Sequence, residues 1–261
     1  MRARRLARRR EQGYSLAELL VVCAVLGLVM AGVLTLYMTG TTVALSGQNK
    51  TEAQQGARAT LLMEEDLRLA GYGFPANAGA NPVFVAASAT SVTFWADLSN
   101  ASTTLSAAAA AGATALTVTS GAGFANPNVI YVINGGQWET ATVASATSTT
   151  ITVTGSGLTA IPNPYPAGTQ VGLPRQVTYS WDGVGTLSRT VAPALAQPAV
   201  SGVTAFQLSY YDTTETLIPA ASLATSLATI RRVVISLTVQ SAAAQNRGTF
   251  TLNASIRPRN L

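Results

Sequence analysis

The chain has 261 residues, and 16 basic against 11 acidic side chains give a formal net charge of +5, with no histidine. Lack of histidine excludes Ser-His-Asp and Cys-His catalysis and His-based metal sites, and the single cysteine, Cys23, excludes an intramolecular disulfide. Six of the basic residues, Arg2, Arg4, Arg5, Arg8, Arg9 and Arg10, crowd the N-terminus, while ten basic and ten acidic residues balance from residue 14 onward, which excludes a globally basic nucleic-acid-coating protein.

Residues 19–38 read LLVVCAVLGLVMAGVLTLYM, and seventeen of the twenty are apolar. As a helix this run spans about 30 Å, the thickness of a bilayer's hydrocarbon core. No charge occurs between Glu18 and Lys50. Arginines before the run and none just after it predict a cytoplasmic N-terminus, with residues 39–261 on the far side. The run is too long for a secretory signal peptide, although Ala44-Leu45-Ser46 has the look of a cleavage site. Glu18 stands at the head of the run. A carboxylate at membrane depth costs about 2.5–3.5 kcal/mol, so it needs a partner unless it stays at the interface.

The string Gly13-Tyr14-Ser15-Leu16-Ala17-Glu18, behind an Arg-rich leader and ahead of an apolar helix, resembles the prepilin cleavage and methylation motif of type IV pilins and type II secretion pseudopilins. Every position fits, with Tyr14 where Phe is commoner. The resemblance implies cleavage after Gly13 by a prepilin peptidase and N-methylation of Tyr14. It also implies a role in subunit assembly for Glu18, whose carboxylate would neutralise the terminal amine of a neighbouring subunit. In an apolar filament core such a pair can set axial register.

Past the membrane, Ala53, Ala57, Thr60, Met63, Leu67 and Ala70 recur every three or four residues and predict an amphipathic continuation of the helix. Glu64 and Arg68 form an i,i+4 pair. The trio Glu64-Glu65-Asp66 reads as a solvated face, with a cation site as the sharper alternative. Gly71, Gly73 and Pro75 end the helix. The stretch Met63–Tyr72 and the closing strands are similar to the larger minor pilins of the PilW type and the related J-type pseudopilins. That similarity covers residues 1–98 and 171–261.

The second half alternates in the period of strands at Ser91–Trp95, Gln176–Trp181, Phe206–Tyr210 and Val233–Val239, with a hairpin loop at Asp182–Gly185. Residues 101–170 carry one charge, Glu139, and are dense in Ala, Thr, Ser and Gly. Strand signals at 115–119, 129–133, 140–143 and 149–154, separated by glycine turns at 121–123, 134–136 and 155–157, predict a small inserted β module. A low-complexity linker is the alternative.

The expected fold is therefore α+β, with one antiparallel sheet packed on the amphipathic half of the helix as the simplest architecture. It divides into a leader (1–13), the transmembrane half (14–38) and the amphipathic half (39–73) of a long helix, an antiparallel pilin-like β domain (74–100 and 171–261), and the inserted all-β module (101–170). The expected protein is a non-catalytic minor pilin of a type IV pilus, anchored in the inner membrane and then carried to the cell-surface pilus at its initiating or tip complex. Its expected partners are other major and minor pilins, the prepilin peptidase, the assembly platform in the inner membrane, and membrane lipid before assembly. A J-type pseudopilin and a membrane-tethered adhesion or DNA-binding module stand as alternatives. Arg231, Arg232, Arg257 and Arg259 are the candidates for a nucleic-acid contact, and solvation or ion pairing is the plainer reading. Asp212 and Glu215 lack the spacing of a hydrolase pair. No cofactor or metal is implied.

Overall fold

A computed structural model describes residues 15–75, 82–99, 101–154, 161–240 and 248–261. The chain forms two units, Met1–Gln48 and Asn49–Leu261. Helix α1, Leu16–Arg68, starts in the first and ends in the second. The architecture is α+β, as the sequence predicts. A long N-terminal helix precedes antiparallel sheets, with two short 3₁₀ turns at Ala220–Thr225 and Leu227–Thr229.

In the first unit every described side chain from Leu16 to Thr41 is exposed. The threonine hydroxyls there are returned to the helix itself. Thr35 Oγ1 donates to the Ala31 carbonyl at 2.8 Å, and Thr39 Oγ1 donates to that of Thr35 at 2.9 Å. Such back-bonding leaves no threonine proton there for an apolar surrounding to accommodate.

In the second unit α1 buries Gly56, Ala59, Thr60, Met63, Asp66 and Leu67, one face at three- and four-residue spacing. Gly56 sits so close that an added Cβ would lie 3.1 Å from both Leu252 and Val239. The helix ends at Arg68. Gly71 then takes φ +83°, its N–H donates to the Trp95 carbonyl at 2.8 Å, and a Cβ there would meet the Asn260 carbonyl at 2.9 Å. Glycine is thus required by both conformation and space.

A single sheet was the simplest expectation for the host strands, but they form two. One is five-stranded in the order β1 (Phe84–Ala87), β2 (Ser91–Ala96), β9 (Arg175–Trp181), β10 (Thr186–Val191), β11 (Gln197–Ser201). The other is β12 (Val203–Tyr211), β13 (Arg232–Gln240), β14 (Thr249–Ile256). All pairings are antiparallel. Gly202, at φ +74°, redirects the chain from β11 into β12. One core joins α1 to both sheets through Met63, Leu67, Phe94, Tyr179, Val233 and Leu237 among others.

Six further strands lie between β2 and β9, ordered β3 (Thr103–Thr104), β8 (Gln170–Gly172), β5 (Val129–Asn134), β6 (Gln137–Ala146), β7 (Thr150–Thr154), β4 (Ala115–Thr117). The two ends of this row also meet. Leu105 bridges Val118, and Ser106 N–H to Thr117 and Thr119 N–H to Thr104 are both 2.9 Å. The row therefore closes into a six-stranded barrel, which leaves no open edge. Its interior holds Leu116, Ile130, Val132, Val143, Ile151 and Val153, a core separate from that of the host sheets. The 115–119, 129–133, 140–143 and 149–154 signals correspond to β4, β5, β6 and β7, and the 134–136 turn joins β5 to β6. The turn expected at 155–157 lies outside the described residues. Val171 and Gly172 pair within this barrel and Leu173 reaches its core, so the barrel extends past residue 170.

Entry to and exit from the barrel are held by one buried carboxylate. Asp97 is 2% exposed. Its Oδ1 accepts from Ser99 N–H at 3.0 Å and Ser99 Oγ at 2.8 Å, and its Oδ2 accepts from Leu173 N–H at 3.2 Å. The barrel's outer face packs on the host through Tyr131, whose ring lies 5.4 Å from Phe74 and 5.7 Å from Trp95 of the host and 5.9 Å from Trp138 of the barrel itself.

Candidate functional site

Glu18 stands in the first turn of α1, and local chemistry fixes its carboxylate. Ser15 precedes the helix, and its Oγ accepts from Ala17 N–H at 3.3 Å. Glu18 Oε2 reaches back to accept from Ser15 N–H at 3.1 Å. This is a reciprocal N-terminal cap. Ser–x–x–Glu satisfies two of the four N–H groups that a helix start leaves unpaired, and a carboxylate there also meets the positive end of the helix dipole. The string Ser15-Leu16-Ala17-Glu18 carries the signal for this cap in plain view, yet the sequence reading assigned Glu18 only to assembly. One carboxylate oxygen is used by the cap; the other, Oε1, has no partner among the described residues and is open to a cation. Gly13 and Tyr14, the expected cleavage and methylation positions, lie outside the described residues.

Directly behind the cap, Leu16–Thr41 is a helix long and apolar enough to cross a membrane, and none of it is buried within the protein. Cys23, exposed on this helix, is a free thiol.

A family model described as the prokaryotic N-terminal methylation motif matches residues 8–34. The match takes in Arg8, Arg9 and Arg10 of the leader, Gly13 to Glu18 and most of the apolar helix. No curated protein and no solved structure matches the chain. The motif, together with the apolar helix that it heads, supports a type IV pilin-like or pseudopilin-like protein. It is consistent with membrane anchoring and, in general terms, with dealings with a prepilin peptidase and other pilins.

One sequence expectation needs correction. The acidic trio is not a solvated face throughout. Glu64 pairs with Arg68 as expected, but Asp66 is 4% exposed. Arg189 grips it in a fork, Nε to Oδ2 at 2.6 Å and Nη2 to Oδ1 at 3.2 Å. Tyr179 Oη donates to the same Oδ2 at 2.7 Å. Burial, and then the adjacent Asp66 carboxylate, hold the Tyr179 phenol above its ordinary range, so it stays a donor. The partners are 113 and 123 residues away, out of reach of any local pattern.

The arginines at the end of β13 and β14 are largely spoken for. Glu215 takes Arg232 at 2.6 Å and Arg257 at 2.7 Å. Arg232 also lies over the Tyr211 ring at 3.8 Å, and Arg231 Nη1 donates to the carbonyls of Ala228 and Ile230, each at 2.8 Å. Ion pairing, the plainer of the two readings, accounts for Arg232 and Arg257. Asp212 is spent on its own turn, accepting from Thr214 N–H at 2.8 Å and Thr216 N–H at 3.0 Å.

Proposed function

We propose that this chain is a minor pilin of the PilW type, a non-catalytic subunit of a type IV pilus. In this reading a prepilin peptidase cuts on the cytoplasmic face after Gly13, and the new amine of Tyr14 is methylated. The subunit waits in the inner membrane with its N-terminus cytoplasmic. It then joins the filament at the initiating or tip complex, contacting other pilins and the assembly platform. Residues 101–170, with the short continuation to Leu173, are an inserted module that projects from the pilin-like domain and meets a surface partner by shape and hydrogen bonding, since it carries a single charge.

The observation that carries the reading is the methylation motif set in register with a helix whose apolar side chains are all exposed. Twenty-six residues of exposed apolar helix require a lipid or protein cover that this chain does not supply from its own fold. Glu18 fits the assembly role because its cap uses one carboxylate oxygen and leaves the other free for a neighbour's amine.

Glu18 is the place to test it. Glu18→Ala should insert into the membrane and be cleaved, yet be depleted at least several-fold from sheared pili, with Glu18→Asp intermediate because of its shorter reach. Wild-type levels of Glu18→Ala in the pilus fraction would refute the assembly role. Copurification with secretion components in place of pilins would assign the chain to the J-type pseudopilins.

A further inference from the structure

A cleft of about 210 Å³ opens where the barrel meets the host sheet. Its walls are mostly apolar: Val129 from the barrel, Leu173 and Pro174 from the returning strand, Pro193 from the loop after β10, and Trp95 from β2. Into this lining projects one cation, Arg175. Its Nη2 donates to Asn128 Oδ1 of the barrel at 2.7 Å, and its Nη1 donates to the Ala192 carbonyl of the host at 3.3 Å. Both acceptors are neutral. Among the described residues no carboxylate lies within ion-pair range of Arg175. Asp97 follows Ala96, the residue that Arg175 faces across the sheet. Its oxygens are already taken by Ser99 and Leu173.

We infer that this cleft binds a monocarboxylate carried on a small apolar body. A guanidinium has five donors in a planar fork that suits a carboxylate, and two are committed here. One positive charge calls for one negative charge; a phosphate dianion would leave charge uncompensated against proline and valine walls. Volume limits the body. An apolar cavity of about 150 Å³ holds a benzene ring, so this cleft admits one ring or one branched aliphatic side chain in addition to the carboxylate. Two sources share that chemistry: a free aromatic or branched-chain acid, and the C-terminal residue of a polypeptide. The pilin reading plays no part in this assignment, which rests on residues of the second unit alone.

Calorimetric titration of the detergent-solubilised full chain with sodium benzoate, benzamide, N-acetyl-leucine and N-acetyl-leucinamide tests it. At least one acid should bind, and its amide should bind at least tenfold more weakly. Preference for N-acetyl-leucine identifies a chain end as the source, and preference for benzoate a free acid. Arg175→Gln should abolish the difference between acid and amide. Because Arg175 also ties barrel to host, Val129→Trp is the second variant; it fills the cleft, leaves the guanidinium in place, and should block all binding. Equal binding of acid and amide to the unmodified chain, or no binding of either acid, would overturn the proposal.

Discussion

The two halves of α1 are built from the same backbone geometry for opposite surroundings. From Leu16 to Thr41 no side chain is buried and no charge follows Glu18. From Gly56 to Leu67 one face is closed against two sheets, and a charge, Asp66, lies inside it. A buried charge is tolerable in the second half because Arg189 and Tyr179 meet it with three hydrogen bonds. In the first half nothing comparable is offered, and even the threonines bond to their own helix. The difference shows where each half finds its cover: the second within the chain, the first outside it.

The largest effect is expected where the second half depends on its charge. Asp66→Ala leaves the buried Tyr179 hydroxyl and the half-buried Arg189 guanidinium without their acceptor, and should cost about 3 kcal/mol in a denaturant melt of the detergent-solubilised chain. Leu28→Ala, at a residue 78% exposed, should stay within about 0.5 kcal/mol in the same melt. Equal losses would erase the contrast between the halves. Next, a charge placed where the first half expects none, Val29→Arg, should cost about 2.5–3.5 kcal/mol of membrane insertion. It would appear as protein lost from the membrane fraction, with no change in the fold of the second unit. Arg58→Leu, exposed on the second half, should insert normally.

Much of this was legible in the sequence. Twenty uncharged residues, seventeen of them apolar, mark a membrane-length helix, and the alternation at Ser91–Trp95 and Val233–Val239 marks β2 and β13. The strands of the barrel were visible for the same reason, since Leu116, Ile130, Val143 and Ile151 keep the period of two. Its closure was not, because it rests on the two-residue strand β3 and the Leu105–Val118 bridge, too short to carry any periodicity. Asp66 was misread because charge in a helix ordinarily means solvent, and the residues that overturn this lie on β9 and β10. At the head of the chain the reverse occurred. The capping signal of Ser15 and Glu18 is wholly local, but a stronger reading of the same glutamate concealed it.

The smallest effect belongs to a strand connection that owes nothing to the helix. Asp182 Oδ1 accepts from the N–H groups of Val184, Gly185 and Thr186 at 2.8–2.9 Å, closing the β9–β10 hairpin. These bonds lower its pKa from 3.8 to about 2. A depressed carboxyl contributes above its unfolded pKa and fades as pH falls through the folded one. Protection of the Val184–Thr186 amides, their exchange relative to the intrinsic rate at the same pH, should therefore be steady above about pH 4 and fall toward pH 2, and Asp182→Asn should remove that pH dependence.

Cover from outside the chain, reached by way of a processed N-terminus, is the claim on which the account of α1 rests. Intact mass and N-terminal sequencing of membrane-extracted protein measure it directly. The expected result is a chain that begins at Tyr14 with a methylated amine and retains Leu16–Thr41. A chain that begins at Met1, or one cut after the apolar helix near Gly47, would contradict it.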